Sequence, residues 1–407
     1  MIRARHRGYI LSLLALTAVP AAPQVAVKVS LNQPDYLAGE PIFVNVAFTN
    51  IGAEPLGYSG CDGRADLSVI GTQPDQPPRL RGCSEGGSLG GFACGIDHPP
   101  RMAPGQTITF AYLLKGYHIH SGSYVLHASG RAPVRWFFGQ GLNSSPVSQR
   151  KLGDPVEGAA FDASLSLTVR SGTEEELRQR YLPYVTDSQS VGDIATHARE
   201  AIAEMAPPFL EKTILGFTNH LGDEPLVVRG LAQITTPESR ADLIGLFEKS
   251  PDLQLRALIA EKLAGIATPR ELPFFAGLLP GHSSALDDRI RIFAALGIGR
   301  IGGNDAVAAL QSAPSSPNTE VHSAIAEALG NTRSAAAIPV LIDMRGDPSV
   351  HDVCQALATL THYEWCNSPL AQTPNGWQNW WRTHGSRTPL YGIDQCLSRE
   401  SLPILKE

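Results

Sequence analysis

Hydrophobic and polar residues alternate with a period of two through the first part of the chain, beginning at Val25, Val27 and Val29. Further stretches of this kind cover Ile42–Phe48, Ala65–Ile70, Thr107–Leu114, Gly122–Ser129 and Ala163–Val169. Pro and Gly separate them, as in Met102–Gly105, where tight turns are expected. About seven short strands punctuated in this way favour an antiparallel β-sandwich over residues 22–170.

After Ser171-Gly172 the apolar spacing becomes helical. Thr173 provides an N-cap, and Glu174–Glu176 place carboxylates at the positive end of the first helix. Paired helices are predicted from there to residue 361. The first helices of the pairs are Pro207–Asn219, Glu238–Lys249, Arg270–Leu279, Asn304–Gln311 and Ala335–Met344. The second helices are Pro225–Ile234, Pro251–Ile266, Ala285–Ile301, Asn318–Leu329 and Pro348–Leu360. A weaker pair is predicted at Glu174–Tyr184 and Val191–Met205.

Each of these second helices carries an apolar residue followed by Arg or His, at a spacing of about 30 residues. The basic members are Arg229, Arg256, Arg291, His322 and His351. Such a period indicates stacked units that cannot bury their apolar faces alone. We expect the basic residues to bond carbonyls or carboxylates of the next unit, with Asp288 and Glu320 available. The alternative is a basic row that faces a groove and binds an acidic ligand.

Two family resemblances follow from these stretches. The N-terminal region resembles the immunoglobulin-like sandwich modules of exported bacterial proteins, including the proteinase-inhibitor-like module. The stretches that carry this resemblance are DYLAGEPIFVNVAFTNIG, MAPGQTITFAYLL and SGSYVLHASG. HEAT repeats of the short, phycobilisome-lyase-like bacterial kind resemble SPDLQLRALIAEKLAGIAT and LDDRIRIFAALGIGRIG. The second resemblance implies a HEAT-type α-solenoid that binds proteins, with Arg256 and Arg291 at the family's Arg position. His322 and His351 depart from that pattern.

The amino terminus has the order of a secretory signal peptide. Arg3, Arg5 and Arg7 precede the uncharged stretch 8–20, and a cleavage site of small residues is predicted at Val19-Pro20-Ala21. The alternative is a retained anchor. The predicted organisation is therefore a signal peptide at 1–21, a sandwich at 22–170, helical repeats at 173–361 and a Trp-rich cap and tail at 362–407. An exported location, periplasmic or extracellular, is expected, with no membrane span after signal removal.

Composition narrows the class of protein further. Of 407 residues, 43% are hydrophobic and 18% are charged, which argues against a disordered chain. The net charge is −6, and loss of residues 1–21 removes three Arg and no acidic residue. An acidic balance argues against nucleic-acid binding, which needs clustered Lys and Arg.

Six cysteines divide evenly between the two ends of the chain. In an exported protein, disulfides involving Cys83, Cys94, Cys366 and Cys396 are expected, the last two holding down the C-terminal tail. Cys354 lies within a helical apolar pattern and is expected to be a buried thiol. Whether Cys61 or Cys354 is unpaired stays open.

Two candidate cofactor motifs have simpler explanations. Residues 297–302, Gly-Ile-Gly-Arg-Ile-Gly, match the dinucleotide fingerprint, but that chemistry needs a strand before the glycines. Here they follow a helical pattern, so a helix end is predicted. His118 and His120 would share one face of a strand, and together with His98 or His127 they could form a metal site. The favoured interpretation is that they are surface or turn histidines.

The C-terminal aromatic residues Trp377, Trp380 and Trp381 have helical i, i+3, i+4 spacing and share one face. They are predicted to cap the open end of the repeats. The alternative is an exposed aromatic platform for a sugar or a peptide.

Long loops are predicted at Gly71–Arg101 and Gly139–Gly158. The first is either a binding loop or a disulfide-linked loop without a binding role.

Known catalytic motifs are missing from the sequence, so a non-catalytic, cofactor-free scaffold in the cell envelope is expected, binding a protein or peptide through the solenoid. The alternative is a protease inhibitor that acts through the sandwich and the Gly71–Arg101 loop. A third hypothesis is a metal-dependent enzyme around His118 and His120. The partner, the binding surface and the oligomeric state do not follow from the sequence.

Overall fold

An N-terminal sheet region is followed by a C-terminal helical region, as the two periodicities predict. A computed structural model describes residues 25–53, 55–58, 64–71, 79–80, 101–131, 134–138, 151–155, 160–280, 284–313, 318–344, 350–361 and 375–385. Within this part of the chain, no helix combines the length and the apolar character needed to cross a membrane.

Four sheets are described in the N-terminal region. Their strands are β1 Val25–Leu31, β2 Tyr36–Leu37, β3 Phe43–Asn50, β4 Leu56–Tyr58, β5 Arg64–Gly71, β6 Arg79–Leu80, β7 Arg101–Met102, β8 Thr107–Leu113, β9 Tyr117–His118, β10 Gly122–Arg131, β11 Val134–Phe138, β12 Lys151–Pro155 and β13 Ala160–Arg170. The strand orders are β1-β3-β8, β2-β13-β10-β5, β12-β11-β4-β7 and β6-β9. The six stretches of alternating residues named above are all strands.

Two sheets, β1-β3-β8 and β2-β13-β10-β5, share one hydrophobic core. Alternate residues of β3, such as Val46 and Phe48, are fully buried, as are Leu126 and Ala128 of β10. Phe48 meets Phe161 of β13 with ring centroids 6.1 Å apart, so the two sheets are in direct contact. Period-two burial of this kind is what a sheet with one covered face requires.

Several features of the sheet region differ from the expectation. The alternating pattern did not predict β4, β6, β7, β9 or β11, and β6 lies within the predicted loop Gly71–Arg101. The short strand β2 pairs parallel with the end of β13, through Tyr36 beside Val169, whereas the other described pairings are antiparallel. The predicted loop Gly139–Gly158 contains β12, which pairs with β11. Neither strand has an alternating pattern of its own, because its position is set by hydrogen bonds to distant strands.

Thirteen helices are described in the C-terminal region. They are α1 Glu174–Ser188, α2 Asp193–Met205, α3 Glu211–Gly216, α4 Glu224–Ile234, α5 Pro237–Lys249, α6 Leu253–Ile266, α7 Leu272–Leu278, α8 Ala285–Ile301, α9 Gly303–Gln311, α10 Thr319–Asn331, α11 Ala337–Asp343, α12 Val350–Thr361 and α13 Gly376–His384. Short 3₁₀ turns precede α3 and α7 and follow α3.

Capping residues explain several of the helix starts. Thr173 caps α1 as predicted and also forms a capping box with Glu176. Thr236, Asp252 and Ser284 each accept a hydrogen bond from the first turn that they precede. These side chains satisfy backbone N–H groups that lack a partner within the helix. The predicted helix at Pro207–Asn219 is α3 flanked by two 3₁₀ turns.

The second helices of the pairs form a continuous row. Helices α2, α4, α6, α8, α10 and α12 each pack against the next, and each also packs against the helix that precedes it in its own pair. One hydrophobic core runs through the whole row.

Small residues bring several of these helices into close contact. A Cβ atom at Gly230 would lie 3.2 Å from the Cβ of Ala203, and one at Gly299 would lie 2.6 Å from the Cα of Ala328. At Gly330 the nearest atom would be the Cα of Ala356, at 2.9 Å. The helices can approach this closely only because these positions have no side chain.

Candidate interaction surface

The five basic residues of the predicted repeat do not share one environment. Arg291 is buried, and its Nε donates to the carbonyl of Leu279 at 2.8 Å. Arg256 is half-buried, with its guanidinium 4.4 Å from the ring centre of Phe247. Arg229 and His351 are exposed and His322 is half-buried. They therefore do not form a continuous basic row.

The contacts of Arg291 also differ from those expected. Its Nη1 lies 3.3 Å from Asp288 of the same helix, and Leu279 follows α7, the other helix of the same pair. The contacts of Arg291 to described residues therefore join the two helices of its own pair. Successive pairs are joined instead by Asp288, which accepts from the side chain of Asn318 at 2.9 Å.

Arg199 of α2 belongs to the same series and was not identified from the sequence. Its Nη1 donates to the carbonyl of Ser188 at 2.9 Å, which repeats the contact that Arg291 makes with the end of its paired helix. Its Nε lies 2.5 Å from Asp223, an ion pair without hydrogen-bond geometry. Arg199 stands about 30 residues before Arg229, so the repeat spacing could have identified it.

A second buried ion pair joins the start of α5 to the turn before α7. Arg240 Nε lies 3.2 Å from Glu271, and both side chains are less than a tenth exposed. Arg240 also donates to the carbonyl of Thr235 at 2.6 Å. Burial raises the pKa of Glu271, but hydrogen bonds from Thr268 and the charge of Arg240 outweigh it, so the pKa is lowered overall.

Each second helix from α4 onward presents one exposed strip away from the core. We call the exposed residues of these helices together the second-helix face, and its members include Arg229, Gln254, Arg289, Arg300, Glu320, Glu327, His351 and Gln355. Contacts between neighbouring helices link the strips: Arg289 lies 3.5 Å from Glu261 of α6, and Ser323 of α10 donates to Asp352 of α12. The second-helix face therefore extends over five successive helices.

The C-terminal tryptophans lie at the end of the row. Trp377 is 1% exposed within the core, and Trp380 and Trp381 are half-buried against it. Their helix, α13, packs against α11. Trp377 is therefore not accessible to a sugar or a peptide.

The glycines at 297–302 lie within and after a helix rather than after a strand. Gly302, with φ of 73°, ends α8 as predicted. Gly297 and Gly299 are interior to α8, where a Cβ would meet Phe275 and Ala328 respectively. The prediction of a helix end is correct only for Gly302, because the other two glycines are required by packing.

The alternative of a histidine metal cluster finds no support among the described residues. Strand β9 ends at His118, so it does not extend to His120, and His127 Nδ1 lies 2.9 Å from the hydroxyl of Ser164. His98 lies outside the described residues. In the described ranges, no three His, Cys, Asp or Glu side chains are grouped so as to hold a metal ion.

Most of the cysteine predictions fall on residues that are not described. Cys354 of α12 is buried, as its apolar pattern predicts. The other five cysteines, Cys61, Cys83, Cys94, Cys366 and Cys396, lie outside the described residues. So does most of the predicted binding loop Gly71–Arg101. These predictions remain untested.

Polar and aromatic contacts attach the sheet region to the first pair of helices. Lys115 lies 2.5 Å from Glu200 of α2, and Tyr181 of α1 donates to the carbonyl of Gly39 at 2.7 Å. Phe43 and Tyr184 stack with centroids 6.1 Å apart. The sheet region therefore packs against the first pair of the row, which the sequence did not predict.

Comparisons with known proteins bear mainly on the helical region. The family model for HEAT repeats matches residues 275–361. No curated protein matches the chain. Among solved structures, human deoxyhypusine hydroxylase with glycerol is similar at 12% identity over 52% of this chain and 91% of its own, with a TM-score of 0.25. Native Escherichia coli alpha-2-macroglobulin is similar at 9% identity over 89% of this chain and 26% of its own, with a TM-score of 0.19.

A human seminal-plasma complex of zinc 2-glycoprotein and prolactin inducible protein is similar at 10% identity over 35% of this chain and 93% of its own, with a TM-score of 0.19. At these TM-scores the solved structures carry no argument. The HEAT match is informative, because repeats of this family suggest a protein-interaction scaffold. The matched residues run from α7 to α12.

Proposed function

We propose that this protein is a non-catalytic scaffold that binds a protein or peptide partner along the second-helix face. The observation that carries the proposal is the unbroken row of six second helices, each packed on the next around one core. The HEAT match over residues 275–361 supports it, since arrays of this kind present extended surfaces.

The finer architecture in this proposal is a HEAT-type α-solenoid preceded by an immunoglobulin-like sandwich. Repeated use of the same pair contact, with Arg199 and Arg291 each bonding the end of the paired helix, supports the solenoid. The common core of the two main sheets supports the sandwich. The sheet region then closes one end of the row and α13 the other.

The second-helix face has the mixed chemistry of a polypeptide-binding surface. Arg289 extends over Phe293, with 5.6 Å between the guanidinium carbon and the ring centre, so a cation and an aromatic side chain are presented together. Arg and aromatic residues are enriched among those that dominate binding energy. Glu327 adds negative charge on the same face, so the face does not have the uniform positive charge of a nucleic-acid site.

Export to the cell envelope is the location that we propose. Its support is the order of three Arg residues followed by an uncharged apolar stretch in residues 1–20. Fractionation of the native host, followed by N-terminal sequencing of the mature protein, would test it. A protein found with intact residues 1–21 in the cytosol would contradict it.

The binding proposal is tested by capture with matched charge reversals. The full chain is crosslinked in the native host, and recovered proteins are quantified by mass spectrometry. The double variant Arg229→Glu/Arg289→Glu reverses two charges of the second-helix face. The control Lys249→Glu reverses an exposed charge at the end of α5, in the other set of helices.

A partner that binds the second-helix face should be depleted at least about tenfold by the double variant, a loss of about 1.4 kcal/mol or more, and be unchanged by the control. Equal recovery from all three chains would contradict this choice of surface. Recovery of no specific protein by the unaltered chain would contradict the scaffold proposal itself.

A further inference from the structure

Strand β8 lies at one edge of the sheet β1-β3-β8, and among the described strands it pairs with β3 alone. This pairing is regular: seven consecutive residue pairs run from Thr107 beside Thr49 to Leu113 beside Phe43, without a shift in register. A long and regular edge strand presents a row of backbone N–H and C=O groups to which another strand can add. The edge of β8 is therefore a candidate contact surface outside the helical row.

The hydrogen bonds to β3 determine which groups of β8 point outward. Leu114 N donates to the carbonyl of Ile42 at 2.9 Å, and Asn50 N donates to the carbonyl of Gln106 at 3.0 Å. Hydrogen-bonded and non-hydrogen-bonded pairs alternate along an antiparallel ladder, so the even-numbered residues between these two also bond β3. The odd-numbered residues direct their N–H and C=O groups away from β3. These residues are Thr107, Thr109, Ala111 and Leu113.

The side chains of β8 leave this edge accessible. Thr107, Thr109 and Ala111 are small and are exposed on the outer face of the sheet. Helix α2 packs at the C-terminal end of the strand, where Leu113 and Ala201 belong to one small cluster of buried residues. A second strand can therefore approach most of β8 without meeting a large side chain on its outer face.

Strand β8 also lacks the features that usually prevent an edge strand from pairing. Its sequence, Thr-Ile-Thr-Phe-Ala-Tyr-Leu, contains no charged residue and no Pro. Edge strands of natural proteins commonly carry such residues, because they make an added strand unfavourable. The other described edge strands of five or more residues do carry charges, with Lys28 in β1, Asp66 in β5 and Lys151 in β12. Pairing with a further strand is therefore least opposed at β8.

We propose that β8 pairs antiparallel with β8 of a second copy of this chain, about a two-fold axis. The two three-stranded sheets then form one sheet in the order β1-β3-β8-β8-β3-β1. A two-fold contact requires a surface that is complementary to itself. An uncharged strand meets this requirement, because facing itself brings no like charges together.

The register that pairs all seven residues places Phe110 of both copies at the two-fold axis. Thr109 of one copy then faces Ala111 of the other, and Thr107 faces Leu113. These pairs use outward-pointing backbone groups on both sides, so they form the hydrogen-bonded pairs of the new ladder. Near α2, the second copy contributes only the short side chain of Thr107.

The first test measures self-association of the full chain by sedimentation velocity. One strand from each copy makes a small contact, so a weak dimer is expected, with a Kd between about 1 μM and about 0.5 mM. The fraction of dimer should rise across this range of concentration. A chain that stays monomeric throughout would overturn the proposal.

Paired substitutions on the outer face then test the register. Thr109→Lys/Ala111→Lys places Lys opposite Lys twice and should raise the Kd at least about tenfold. Thr109→Lys/Ala111→Glu places Lys opposite Glu twice and should keep the Kd within about threefold of the unaltered chain. The control Thr168→Lys changes an exposed Thr of β13, which lies between β2 and β10, and should leave the Kd unchanged. Equal dimerisation by both double variants would overturn the proposal.

A second test uses the unaltered chain, so it remains decisive if a variant fails to fold. Residue-resolved hydrogen exchange is compared at low and high protein concentration. Concentrating the protein should slow exchange of the outward N–H groups of Thr107, Thr109 and Ala111 more than that of the even-numbered residues, which already bond β3. Unchanged exchange, or protection confined to β1 or β5, would contradict pairing through β8. None of these outcomes depends on the partner of the second-helix face.

Discussion

The two halves of the helical row are joined by different kinds of contact. In the N-terminal half, two buried ion pairs link each helix pair to the next. One joins Arg199 to Asp223, and the other joins Arg240 to Glu271. In the C-terminal half, the described links include hydrogen bonds that involve no cation, such as Asn318 to Asp288 and Ser334 to Asn304, while close glycine contacts occur in both halves, at Gly230 and at Gly299. The HEAT match covers only this second half.

This difference shows that the same stacking of helices can be stabilised by two kinds of interaction. A buried ion pair is costly to desolvate and is strongly destabilising when one partner is removed. A glycine contact has no such cost, but it cannot tolerate added volume. The two halves should therefore respond differently to mutation and to pH.

The largest effect is expected from breaking the buried ion pair. Arg240→Ala leaves Glu271 buried without its cation and should lower the free energy of unfolding by about 3–5 kcal/mol. Urea unfolding followed by far-UV circular dichroism measures the loss. The exposed pair of Arg178 and Glu174 is the matched control, and Arg178→Ala should cost less than about 1 kcal/mol.

A double variant sharpens this result. Arg240→Met/Glu271→Gln removes both charges and should recover most of the stability that Arg240→Ala loses, since no unpaired charge stays buried. If Arg240→Ala costs no more than Arg178→Ala, the N-terminal half does not depend on its ion pair and the comparison fails.

The C-terminal half should respond to added volume. In Gly299→Ala, the new methyl group would meet the backbone of Ala328, and the loss expected from overpacking is about 1–3 kcal/mol. Gly265 of α6 is exposed and has open space at its Cβ position, so Gly265→Ala should instead stabilise the protein by about 0.5–1 kcal/mol. Thermal unfolding of the two variants should shift in opposite directions. Stabilisation by both would show that the helices can separate without cost.

The smallest expected effect is a change in the pH dependence of stability. The pKa of Glu271 is lowered on folding from its usual value of about 4.5. Its ionised form therefore stabilises the folded state above that value, and this contribution is lost as the pH falls through the lowered pKa. Glu271→Gln should show a shallower loss of stability below pH 4.5 in urea unfolding series. Identical slopes for the two proteins would remove Glu271 as a source of acid sensitivity.

Much of the helical region could be predicted because its signals are local. The apolar spacing places α8 at its observed bounds, and Thr173 places the start of α1. The family resemblance is supported only over residues 275–361. Strands β2 and β12 were missed because a short strand without alternation is defined by its partner, which lies far away in sequence.

The candidate site was predicted less well than the fold. A basic residue after an apolar one occurs in Arg229 and in Arg291 alike, yet the first is exposed and the second is buried. The spacing of the repeat determines which helix carries the residue. It does not determine the rotation of that helix against its neighbours, which sets whether the side chain reaches a carbonyl or solvent.

By itself, the sequence determined the division into strands and paired helices, because periodicity, caps and turns act over a few neighbouring residues. Tertiary structure alone decided that the sheet region packs on α1 and α2, that Arg291 is buried while Arg229 is exposed, and that the second helices leave one exposed face. These features depend on contacts between residues far apart in the chain, and their free energies are set by packing and burial rather than by local pattern.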